Sequence, residues 1–210
     1  MLHCRAADVQ VILEVFALNC YDLPGIDWLR AETILDVGAH VGATTVWMAH
    51  RAPRSRIISI EPSPASTALL LRNVRDNHLL ARVEVMAAAL SDSEAWACIA
   101  TGAAPGETQL RHLGGNEGPI VRTTSLEQLL EDRSLSIVDI VKLDCEGSEF
   151  EIIGGAPPDV LRRVRTFVGE YHASNGHNRD ELSGHFNSAG FVTTFEGTGP
   201  TGLFTATRGR

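Results

Sequence analysis

The chain has 210 residues, of which 44% are apolar and 21% charged, and 18 basic against 26 acidic side chains give a formal net charge of −8. That length and composition suit one soluble domain with a full hydrophobic core and exclude a disordered chain. The acidic balance, with no dense lysine or arginine cluster, disfavours nucleic acid as a partner. Cys4, Cys20, Cys98 and Cys145 are scattered without a C-x-x-C pair, which predicts reduced thiols and no zinc site. Val11 to Leu18 is too short to span a bilayer and is interrupted by Glu14, so a cytoplasmic enzyme without a membrane span is expected.

In chain order, residues 6–20 carry apolar side chains at Val9, Ile12, Leu13, Phe16 and Ala17, a helical spacing. Pro24 and Gly25 end this N-terminal helical segment, which is assigned to residues 1–32. From Thr33 the pattern alternates short apolar runs with helical stretches: "TILDV", then 44–51, "RIISIE", 65–76 and "RVEVMAAAL". This is a βαβ signature and predicts an α/β fold, a mainly parallel sheet with helices on both faces. Further strands are expected at 95–100, 137–143, 166–171, 191–196 and 202–207, with a helix at 125–132. The Gly- and Pro-rich stretch 101–119 is expected to be a long loop, a candidate lid. The last two runs are joined by "GTGPTG", too short for a parallel crossover, so the sheet should end in an antiparallel hairpin.

The segment "ILDVGAHVGATT" reads as a buried strand, a loop with Gly38 and Gly42, and a helix opened by Thr44 and Thr45. In open α/β sheets such a loop lies where nucleotide-like ligands bind. A dinucleotide fingerprint G-x-G-x-x-G would need glycines where this chain has Asp36 and Val41. Asp36 would repel a pyrophosphate but attract an ammonium or sulfonium, the charge pattern of S-adenosylmethionine. Glu61, some twenty residues on in "IISIEPSP", can accept hydrogen bonds from both ribose hydroxyls, with Pro62 and Ser63 beside the adenine. Ala89, Ser91 and Asp92 in "AAALSD" could meet the adenine edge. The alternatives are structural: Asp36 holding its loop, and Thr44 and Thr45 capping a helix rather than meeting the cofactor carboxylate.

The chain resembles the FkbM family of S-adenosylmethionine-dependent methyltransferases. The matching segments, from about residue 33 to 172, are "DVGAHVG", "IEPSP" with "LRNVRDN", "AAALSD", "TTSLEQLL", "VDIVKLDCEGSEFEIIGG" and "VGEYH". The resemblance implies a class I methyltransferase Rossmann-like fold of seven strands with an antiparallel last strand, forming a single methyltransferase domain. It implies cofactor contacts at Asp36, Gly38, Ala39, Gly42, Thr44, Glu61, Pro62, Ser63, Ala89, Ser91 and Asp144. It also implies transfer to a small-molecule acceptor, mainly O-methylation of natural products, sugars or lipids, with N-methylation as the alternative. Cys145 stands where Val or Ile is more usual.

An alcohol acceptor must lose its proton as the new bond forms, which calls for a carboxylate or histidine within reach. The candidate catalytic groups are Asp144, Glu146 and His172, with Glu170 and His177 nearby in sequence. Asp144 could equally bind the cofactor's methionine end, and Glu170 could orient His172. Asp144, Glu146 and Glu170 would suit a hard divalent ion, but spacing does not show that they converge, and no metal is assigned. Within "VKLDCEGSEFE", Ser148 and Glu151 fit a capping box and Glu149 falls in the first helical turn, so these are read as structural. The rival functions are an NAD-dependent oxidoreductase and a non-catalytic cofactor-binding module. The oligomeric state stays open, a homo-oligomer included.

Overall fold

The computed structural model describes residues 1–101, 108–112, 118–173 and 176–208. A 3-10 turn at Ala6–Asp8 leads into α1 (Val9–Phe16), and a second at Trp28–Arg30 precedes β1 (Thr33–Val37). There follow α2 (Ala43–Arg51), β2 (Arg56–Ile60), α3 (Pro64–Asp76), β3 (Val83–Met86), β4 (Ala89–Ser91), β5 (Ala95–Thr101), β6 (Thr108–His112), β7 (Ile120–Ser125) and α4 (Leu126–Asp132). The chain continues with β8 (Val138–Leu143), α5 (Glu149–Gly155), α6 (Pro158–Leu161), β9 (Val164–His172), α7 (Arg179–Ser188), β10 (Val192–Glu196) and β11 (Thr201–Thr207).

Seven strands form the main sheet in the order β10, β11, β9, β8, β1, β2, β3. The pairs among β9, β8, β1, β2 and β3 are parallel, and β11 runs antiparallel to both its neighbours. The expected terminal hairpin is present. β1 lies mid-sheet and is covered on both faces, which is why it reads as a nearly continuous apolar run. Ile34 packs with Val15, Trp47, Leu70 and Val74 from α1, α2 and α3, while Leu35 on the other face joins Leu126, Phe150, Val160 and Phe186. Helix starts follow local chemistry: Ser63 accepts from the amide of Ser66 ahead of Pro64, and Ser125 accepts from the amide of Gln128.

Four differences from the sequence expectations bear on the site. The run "RVEVMAAAL" is two strands in two sheets. Met86 pairs with Ile60, the last residue of β2, so the ladder runs out there, and β4 pairs instead with β7. The stretch 101–119 contains a strand: β6 pairs antiparallel with β5, and β4, β7, β5 and β6 make a four-stranded second sheet. The rest of the expected lid falls at 102–107 and 113–117, outside the described residues. Helix α7 was not foreseen, because only Leu182 and Phe186 mark its buried face and Gly184 interrupts it. Finally, the Ser148 capping box is not formed: Ser148 is the N-cap residue but makes no side-chain cap bond.

The loop between β1 and α2 returns sharply. Gly38 has φ of +72°, and a Cβ there would lie 1.8 Å from the Asp144 carbonyl oxygen. Gly38→Ala should therefore lower stability by about 1–3 kcal/mol, an overpacking cost compounded by a left-handed backbone. The expected reading is a lower urea midpoint at unchanged slope.

Candidate active site

The parallel register sets Asp36 of β1 between Ser59 of β2 and Lys142 of β8. All three side chains are buried, and Thr45 from the first turn of α2 closes over them. The Thr45 hydroxyl donates to Asp36 at 2.5 Å and lies 2.9 Å from the Ser59 hydroxyl. Lys142 Nζ lies 3.4 Å from Asp36 Oδ1 and 3.5 Å from Asp144 Oδ2, and donates to the Gly38 carbonyl at 2.8 Å and the Val37 carbonyl at 3.3 Å. Burial opposes its charge, yet Asp144 and Asp36 hold the ammonium above its ordinary pKa.

Above this network a cavity opens at the carboxyl ends of the strands. Its wall includes Gly38, Ala39, His40 and Thr44 from the glycine loop and α2, and Glu61 and Pro62 after β2. Ala88, Ala89 and Leu90 close one side, Leu110 of β6 reaches over from the second sheet, and Asp144, Cys145, Glu146 and Ser148 form the far end. Ala7 and Val11 from the N-terminal segment complete it. Glu61 receives the amides of His40 and Ser63, each at 2.9 Å, so its carboxylate is fixed against the cavity, and burial raises its pKa.

Of the residues expected to meet a cofactor, Gly38, Ala39, Thr44, Glu61, Pro62, Ala89 and Asp144 line this cavity. Asp36, Gly42, Ser63 and Ser91 do not, each for a local reason. Asp36 lies beneath the loop in the Lys142 network. Gly42 turns the chain at φ of +86° against Leu70, and Ser63 caps α3. The Ser91 hydroxyl donates to Glu151 at 3.3 Å, while Asp92 packs against Gly155.

Of the candidate catalytic groups, Asp144 and Glu146 line the far end, and His172 lies next to Glu146 outside the cavity lining. Tyr21 donates its hydroxyl to Asp144 Oδ2 at 2.8 Å, a partner that the sequence did not signal because it arrives from the segment ahead of β1. Burial works against the Asp144 charge, but Lys142, His172 and the Tyr21 hydroxyl hold its carboxyl below the usual range. His172, at the end of β9, lies behind Glu146: its Nε2 is 3.7 Å from Glu146 and 3.9 Å from Glu170, and its Nδ1 is 3.4 Å from Glu149. Burial disfavours its charge, but the Glu149 hydrogen bond and the surrounding carboxylates outweigh it and lift His172 to about 9. Burial and the Asp144 charge lift Glu170 to about 7.

Glu149, read from sequence as part of a helix start, is wholly buried and serves the site. Its carboxylate receives the amides of Cys145 and Gly147, which fixes the turn that carries Asp144 and Glu146. His177 lies apart, stacked on Phe150 and paired with Glu181.

A second group missed in sequence ties the N-terminal segment over the glycine loop. Asp8 is fully buried and accepts from Arg5, whose guanidinium reaches His40 at 2.8 Å and Ser66 at 3.2 Å. Asn73 donates to the carbonyls of His3 and Val41.

The donor set fits S-adenosylmethionine. Glu61 offers a fixed carboxylate to a diol, the first turn of α2 offers amides and Thr44 to a carboxylate, and Asp144 offers negative charge to a cationic centre. Fold and site together define a class I S-adenosylmethionine-dependent methyltransferase. Residues 36–193 match the family model described as the methyltransferase FkbM domain, and the chain belongs to that family.

Among curated relatives it is 24% identical to the methyltransferase sdnD of Sordaria araneosa, over 86% of this chain and 81% of that protein. It is 22% identical to the 31-O-demethyl-FK506 methyltransferase FkbM of Streptomyces tacrolimicus, over 83% of this chain and 78% of that one. Among solved structures, M. capricolum TrmK in complex with S-adenosylhomocysteine shares the fold, with a TM-score of 0.55 at 11% identity over 92% of this chain and 68% of that one.

Two substitutions separate support from contact. Asp36→Asn removes one partner of a buried ammonium and should cost on the order of 3 kcal/mol of stability, read by thermal or urea unfolding. Glu61→Ala removes a charged hydrogen-bond acceptor from the cavity wall. It should weaken S-adenosylhomocysteine about 10–100-fold by calorimetric titration.

Proposed function

We propose that this methyltransferase O-methylates a hydroxyl of a small molecule, an acceptor of natural-product, sugar or lipid type. The observation that carries this reading is the pair of acids lining the far end of the cavity, Asp144 and Glu146, with the His172 imidazole 3.7 Å from Glu146. An amine that is already neutral attacks without further help, whereas an alcohol is a poor nucleophile until a base relieves it of its proton, so a base beside the acceptor favours a hydroxyl. The name of the Streptomyces relative, a 31-O-demethyl-FK506 methyltransferase, agrees with an oxygen acceptor.

Bound S-adenosylmethionine supplies a methyl group on a sulfonium, so the carbon–sulfur bond that breaks leaves its electron pair on sulfur while the acceptor oxygen gains the carbon and sheds a proton. Glu146 lines the cavity and takes that proton. His172 positions Glu146 from behind and is itself held by the buried Glu149. Asp144, kept ionised by Lys142 and Tyr21, supplies negative charge at the far end of the cavity. The apolar wall of Val37, Ile60 and Leu90 keeps water from the reacting atoms.

The test is transfer from labelled S-adenosylmethionine to a panel of hydroxyl and amine acceptors. Glu146→Gln should lower kcat for hydroxyl acceptors about 10²–10⁴-fold while S-adenosylhomocysteine binds as before. Methylation confined to amines, or a Glu146→Gln enzyme as fast as the parent, would reject the hydroxyl reading.

A further inference from the structure

Asp144, Glu170 and His172 each offer one ligand atom to a common point, with those atoms within 4.8 Å of one another. They come from two neighbouring strands: Asp144 follows β8, and Glu170 and His172 end β9, which runs parallel to β8. Two carboxylate oxygens and one imidazole nitrogen are a donor set for a hard or borderline divalent cation.

The imidazole is presented as metal-bound histidines are. Its Nδ1 lies 3.4 Å from Glu149, a carboxylate with no solvent exposure, while Nε2 faces Glu146 and Glu170. A buried carboxylate on one ring nitrogen fixes the ring, and a cation that displaces the proton held at the other nitrogen takes its lone pair, as metal binding to histidine does. Glu149 is held in turn by the amides of Cys145 and Gly147. On Asp144 the Tyr21 hydroxyl and Lys142 both engage Oδ2, which leaves Oδ1 for a ligand. Four carboxylates, Asp144, Glu146, Glu149 and Glu170, thus gather around His172, with Lys142 shared between Asp144 and Asp36 as counter-charge.

We infer that Asp144, Glu170 and His172 form a divalent-cation site of the Mg²⁺ or Mn²⁺ class beside the acidic end of the cavity, reaching it through Asp144, with Glu149 as the group that orients His172. Its role rests on the hydroxyl reading: the cation coordinates the acceptor oxygen and lowers the pKa of its O–H, and Glu146 takes the released proton. No redox change is involved, and the cation is regained when the methylated product leaves.

The probe is Mn²⁺, titrated into the full chain with bound S-adenosylhomocysteine and followed by electron paramagnetic resonance, which reads binding without turnover. One saturable site is expected, displaced by excess Mg²⁺. Glu170→Gln and His172→Ala should abolish it, Glu149→Gln should weaken it about 10–100-fold, and Glu131→Gln on the exposed face of α4 should leave it unchanged. Circular dichroism and retained S-adenosylhomocysteine binding establish that each variant is folded, and the conservative Glu170→Gln decides the matter if His172→Ala does not fold. No saturable Mn²⁺ site in the parent chain, or one unaffected by Glu170→Gln, overturns the proposal. Hydroxyl methylation that continues undiminished in chelator also overturns the cation's role while leaving the acceptor reading intact. Mn²⁺ bound as expected with only amines methylated upholds the site and removes the acceptor reading.

Discussion

Lys142 carries an ammonium into the middle of the sheet, and the groups that neutralise it hold the cavity floor in place. A buried charge is tolerated only when paired and fully hydrogen-bonded. Here the partners are Asp36 on the next strand, Asp144 at its own strand's end, and the carbonyls of Val37 and Gly38. Those carbonyls belong to the strand end and turn that begin the glycine loop. One side chain therefore ties the loop that approaches the cofactor to the loop that carries the acids, and Tyr21, whose ring lies over the ammonium, brings in the segment ahead of β1.

From that floor the cavity divides by charge and by source. One wall, built from the glycine loop and Glu61, carries hydrogen-bonding groups suited to a nucleoside. The far end is acidic and is built from the β8 and β9 ends, with Glu149 stabilising the turn between Asp144 and Gly147 through its two amide contacts. Over the top lie parts with no place in the main sheet: Leu110 of the second sheet, and Ala7 and Val11 of the N-terminal segment. These segments lie outside the motifs that carry the family resemblance.

The acids of "VKLDCEGSEFE" show how spacing and environment can disagree. Glu149 and Glu151 both fall in the first turn of α5, where negative charge complements the helix N-terminus. Packing separates them. Glu149 turns inward, bonds the preceding loop and lies 3.4 Å from His172 Nδ1, whereas Glu151 is exposed and accepts from Ser91. Asp36 moves in the opposite direction: its position in the glycine-loop motif suggests ligand contact, but its strand register commits it to Lys142 and Thr45.

The sequence by itself determined the alternation of strands and helices, the antiparallel hairpin at the end, the glycine loop and Glu61. Each of these is written locally: apolar period, turn composition, and residues at short fixed offsets dictate backbone conformation without reference to distant parts of the chain. Only the tertiary structure decided which acids share an environment, that β6 reaches the cavity, that Tyr21 serves Asp144, and that Glu149 stands behind His172. Those facts depend on strand order and on which face of an element is buried. Residues more than a hundred positions apart, such as Tyr21 and Asp144, meet because the segment ahead of β1 folds back to the end of β8, and no local pattern records that meeting.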